Sequence, residues 1–135
     1  MRVTSLLVAT GVLLCSAPAA VAGPAVRIHD VQGTTRVSPL VGQRVTGVPG
    51  VVTGVRGFGS ARGFWFQDPE PDGDPRTSEG LFVFTGEQTP AVAVGDVVAV
   101  DGTVTEHYPT APEETPETTA NQSVTQLVDA TWQVT

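Results

Sequence analysis

Apolar residues along this chain fall in short runs of Val, Phe and Thr bounded by Gly, Pro and Asp, and no 11-residue window repeats with a helical period. Residues 43–55 alternate well enough to predict a strand with Val45, Val51 and Val55 on one side. Gly47, Pro49 and Gly50 predict a bend or bulge in its middle. Residues 63–67 and 81–85 predict two short aromatic strands joined by a loop rich in Pro, Gly and Asp. Residues 95–107 give the longest strand signal, with a kink or tight turn at Asp101-Gly102, and residues 124–127 and 130–134 close the set. Residues 109–122 hold three prolines and three glutamates and predict an exposed, mobile loop. Asn121-Gln-Ser123 matches a glycosylation sequon and is read as chance.

Five or six strands, a bent first strand and a long loop before the last one predict an all-β fold, a small OB-fold-like barrel. In that fold ligands sit on strands 2 and 3. An immunoglobulin-like sandwich, which wants about seven evenly spaced strands, is the second choice.

The start of the chain alters the count of residues available for folding. Met1-Arg2, the apolar run from Val3 to Leu14 and Ala20-Val-Ala22 form the pattern of a secretory signal peptide, residues 1–22. Leu14 is too large for a lipobox ahead of Cys15, so a secreted, extracellular domain at 23–135 is expected rather than a membrane anchor. Cleavage after Ala22 removes the one cysteine, leaving packing, and any bound ion, to hold the domain together. It also leaves six Arg, no Lys and fourteen carboxylates, a net charge of 6 − 14 = −8. The charge is divided: residues 23–67 carry five Arg against Asp30, or +4, and residues 68–135 carry Arg76 against thirteen acids, or −12. Such a balance argues against strong nonspecific DNA binding, yet it permits a local positive face.

The aromatic strands carry the candidate chemistry. Phe64 and Phe66 share one face and Trp65 the other, while Phe82 and Phe84 lie opposite Val83. A small barrel needs large inward residues, so Phe64, Phe66 and one or both of Phe82 and Phe84 are expected inside, with Trp65 outward and suited to stacking on a base. Phe58, Arg56 and Arg62 surround the loop between strands 1 and 2. The arginines suit backbone phosphates or, equally, nearby acids. In the acidic loop, Asp68, Glu70, Asp72, Asp74 and Glu79 follow the spacing of an EF-hand Ca²⁺ loop. Pro69, Pro71 and Pro75 and the lack of flanking helices favour a solvated Asp-Gly turn instead. His29 and Asp30 are expected to pair and fix the entering strand, and His107 to end a strand; both histidines read as structural.

Several stretches together carry a family resemblance: Ile28-His-Asp-Val-Gln-Gly33, Ser38-Pro-Leu-Val-Gly42 and Val48-Pro-Gly-Val-Val-Thr53, the block Gly63 to Phe84, and Val94-Gly-Asp-Val-Val-Ala-Val-Asp-Gly-Thr-Val104 with Thr125-Gln-Leu127. They resemble the OB-fold domain of bacterial extracellular nucleases whose catalytic part belongs to the endonuclease/exonuclease/phosphatase superfamily or to related secreted nucleases. The likeness spans essentially the whole of 23–135. It implies a nucleic-acid-binding module, for DNA or RNA and most readily single-stranded, beside a separate or downstream metal-dependent nuclease domain. No catalytic residue of that superfamily carries over, because His29 and His107 lack the Asn, His and Asp partners it requires. The expected protein is a monomer, non-catalytic on its own, and a truncated or split product. The alternative is a structural or protein-interaction domain that packs on a catalytic partner.

Overall fold

The computed structural model describes residues 24–135, so the expected signal peptide, residues 1–22, and Cys15 lie outside the described residues. Among the described residues are one short helix, α1 (Ile28–Gln32), and five strands: β1 (Arg44–Arg56), β2 (Arg62–Gln67), β3 (Gly80–Gly86), β4 (Val97–His107) and β5 (Val124–Val134). The strands hydrogen-bond in the order β1-β2-β3-β5-β4 and β4 returns to β1, closing the sheet into a barrel. All neighbours are antiparallel except β3 and β5, whose parallel seam is only Phe82↔Gln126 and Val83↔Leu127. The predicted all-β, OB-fold-like barrel is the fold observed. None of the described helices is long and apolar enough to cross a membrane.

Register decides which side chains fill the interior. Phe64 pairs with Val83 and Phe66 with Leu81, and all four are buried. Each large ring therefore faces a smaller side chain across the strand pair. The expectation that Phe82 or Phe84 points inward is overturned: both lie half-buried on the outer face, since Leu81 and Val83 hold the inward positions. Only a one-residue slip of β3 would reverse this. Phe64 packs against Phe66 at 6.1 Å between ring centroids and meets Trp132 edge-on at 5.2 Å.

Two long strands bend to serve the whole circumference. In β1 the pairing with β4 shifts between Val45 and Val48, where Gly47 has φ +65°. This bulge changes the parity expected for the strand: Val45, Val48 and Val52 are buried, whereas Val51 is half-buried and Val55 is exposed. Asp101 Oδ1 accepts the Gly47 N–H at 2.7 Å, so the bulge leaves that donor satisfied. Residues 124–134 form one continuous strand rather than two, with Asp129 at φ +48° opposite the shift at Gly102. Asp101-Gly102 is accordingly a kink within β4 and not a turn.

The sequence gives no periodic signal for α1, because five residues are too few to show one. Its Ile28 and Val31 are fully buried and join the barrel core. The helix sits where β2 ends and β3 begins: Arg27 reaches Asp68, and Gln32 Nε2 donates to the Gly80 carbonyl at 2.6 Å. The loop at 109–122 is largely exposed, as expected, and has its own hydrogen bonds. Asn121 Nδ2 donates to the Pro109 carbonyl at 2.7 Å, which draws its two ends together.

Candidate nucleic-acid interface

The outer face of β2 and β3 holds two rings in contact. Trp65 lies opposite Phe82 in the register, and their centroids are 4.6 Å apart with planes tilted by 44°. Glycines on the adjoining strand seat both rings. A Cβ at Gly54, the partner of Trp65 on β1, would lie 3.4 Å from the indole. A Cβ at Gly63 would lie 2.6 Å from the tip of Phe82 and would run into the Val83 carbonyl. Trp65 thus leans against Gly54, and the tip of Phe82 reaches over Gly63. Trp65 is 44% exposed, which leaves an apolar surface open to a flat ligand.

A cleft of about 310 Å³ extends from these rings, lined by Arg56, Ala61, Trp65, Phe82, Phe84, His107, Val124 and Gln126. Its floor crosses the sheet, because Phe82 pairs with Gln126 on β5, and Val124 pairs with His107 on β4. Val124 is 47% exposed, so this wall is apolar and accessible. His107 ends β4 as expected, and it also lines this cleft.

The loop residues divide. Phe58 is 71% exposed, and the Arg56 guanidinium lies over its ring at 5.6 Å from the centroid, a cation–π contact at the edge of the cleft. Arg62 is partly occupied in holding loops: Nε donates to the Gly59 carbonyl and Nη1 to Thr89 Oγ1, both at 2.9 Å. Of the sequence-derived set, Arg56 and Trp65 line the cleft, Phe58 borders it through Arg56, and Arg62 braces its loop.

The acidic loop is not wrapped around one point. Asp68 has a fully buried side chain that accepts from Arg27 Nε at 2.7 Å, from Arg27 Nη2 and from the Glu70 N–H at 2.9 Å. Burial pushes its carboxyl up, but the Arg27 and Glu70 donors outweigh this and hold it below the ordinary value. Glu70 is largely exposed and lies 3.4 Å from Arg27. Asp74 is paired with Arg76, whose side chain and N–H bring its carboxyl down to about 2. Asp72 and Glu79 do come together, with the Asp72 N–H donating to Glu79 Oε1 at 2.9 Å.

The third member of that group is His29. Its Nδ1 lies 3.3 Å from Glu79 Oε2, so the expected His29–Asp30 pair does not form. Neighbours on a helix do not face each other, and Asp30 turns back to accept the Arg27 N–H at 2.8 Å.

Reasoning from sequence missed Phe82, Phe84, His107, Val124 and Gln126 as cleft residues and His29 as a neighbour of the acidic loop. No local signal marked the first two, because the inward choice depends on the pairing of Phe64 with Val83 and Phe66 with Leu81. No protein-family model, curated protein or solved structure matches this chain.

Proposed function

We propose that this domain is a secreted OB-fold-like module that engages single-stranded nucleic acid on the outer face of β2 and β3, as part of an extracellular nuclease system and without catalysis of its own. The observation that carries the reading is the Trp65–Phe82 pair, packed against Gly54 and Gly63 with the indole 44% exposed. A base stacked on the indole adds roughly 1–3 kcal/mol in other single-strand binders. Arg56 and the free side of Arg62 supply positive charge at the cleft edge, and the resemblance to nuclease-associated OB domains supports the same use of the face.

Fluorescence titration with short single-stranded DNA and RNA tests the proposal. Trp65→Ala is expected to weaken binding roughly tenfold or more while leaving the domain folded, because the ring lies outside the barrel core and loses chiefly its contact with Phe82. With two arginines near the face, the logarithm of affinity should fall with log salt at a slope of about −1.4, or two phosphates. Absence of binding at low salt, or equal affinity in Trp65→Ala, removes this reading. A surface that then binds a protein partner through Phe58 and Val124 would make the domain a packing module.

A further inference from the structure

We infer that His29, Asp72 and Glu79 form a binding site for a single divalent transition ion of the Zn²⁺ type. The three side chains come from α1, the β2–β3 loop and the residue before β3, and each places one donor atom within 4.8 Å of the other two. Ligands bonded to Zn²⁺ at about 2.0–2.2 Å in a tetrahedral array are roughly 3.3–3.5 Å apart. The separation of 3.3 Å between His29 Nδ1 and Glu79 Oε2 already matches one edge of that array. Asp72 closes the remaining gap by a small turn of its carboxylate that exchanges the contact of Oδ2 with Thr77 Oγ1, 3.0 Å, for the ion while Oδ1 keeps its donors.

The oxygens not aimed at the ion are held. Glu79 Oε1 takes the Asp72 N–H, and Asp72 Oδ1 takes the Asp74 N–H at 2.8 Å and Thr77 Oγ1 at 2.9 Å. Such outer bonds orient ligating carboxylates. His29 and Asp72 also line a surface hollow of about 430 Å³, which leaves a fourth position open to water. An imidazole nitrogen with two carboxylates suits a borderline ion better than Ca²⁺, which takes six to eight oxygens. Asp68 and Asp74, the remaining short-chain acids of the loop, are engaged by Arg27 and Arg76. The site therefore differs in both ligands and metal from an EF-hand loop, and it does not depend on nucleic-acid binding.

The test is calorimetric titration of chelator-treated protein with Zn²⁺ and, separately, Ca²⁺, together with visible absorption of the Co²⁺-loaded protein. One equivalent of Zn²⁺ is expected, bound at least tenfold more tightly than Ca²⁺, with Co²⁺ bands of the intensity of a four- or five-coordinate nitrogen/oxygen site. His29→Ala and Asp72→Asn should each weaken Zn²⁺ at least tenfold, and Glu70→Gln should leave it unchanged. Should His29→Ala fail to fold, the Co²⁺ spectrum of Asp72→Asn still reports the loss of a ligand. No saturable Zn²⁺ binding, Zn²⁺ affinity unchanged in His29→Ala or Asp72→Asn, or Ca²⁺ bound as tightly as Zn²⁺ would each overturn the inference.

Discussion

Single residues on β2 and β3 show how small differences in bulk set the face of the domain. Gly63 is the clearest case. Its missing side chain makes room for the Phe82 ring on the outer face, and the ring in turn supports Trp65. Gly63→Ala is expected to destabilise the domain by about 1–3 kcal/mol, since the added methyl meets the Val83 backbone as well as the ring. A urea midpoint equal to that of the parent protein would show that the ring is not seated there. The alternation of residues 81–85 was readable in the sequence, but which set faces inward was not. That choice depends on the pairing of Phe64 with Val83, a contact between strands that no local pattern encodes.

At the level of elements, the strands were legible because period-two patterns and Gly/Pro boundaries are local signals. The long bent β1 and the kinked β4 were visible for the same reason. The inward set of β1 was not, because the Gly47 bulge inserts a residue and changes parity partway along. Helix α1 was hidden by its length, and with it the partners of the acidic loop. Spacing alone suggested that Asp68 to Glu79 act together, whereas α1 divides them by delivering Arg27 to Asp68 and His29 to Glu79. The Asp68 carboxyl, held below its ordinary value of 3.8, favours the folded state above that pH, and this contribution is lost as the pH falls through the depressed value. Urea unfolding is therefore expected to show stability falling below about pH 3.8, with a shallower fall in Asp68→Asn. An acid slope identical in the two proteins would mean that the pair does not couple α1 to β2.

Across the whole molecule, the divided charge of the sequence is partly cancelled by folding. Arg27 from the positive half is paired with Asp68 and Glu70 from the negative half, and Arg44 is turned toward the Asp129 carbonyl at 3.3 Å. The positive surface left around the cleft is small, so the proposed binding leans on stacking more than on charge. The closed barrel has a further consequence through its shortest junction, the two residue pairs between β3 and β5. A ring of strands opens at its weakest join, and partial opening there separates β3 from β5 without breaking the longer antiparallel ladders. Amide hydrogen exchange among the strand interiors should accordingly be faster for the β3 and β5 amides that bond across this seam than for the β4 amides that bond to β1 and β5. Uniform protection around the barrel would contradict this. Because the cleft runs from Trp65 and Phe82 to Val124 and Gln126 on β5, a base held in it would span that join, and slowed exchange at β3 and β5 would report occupancy of the face.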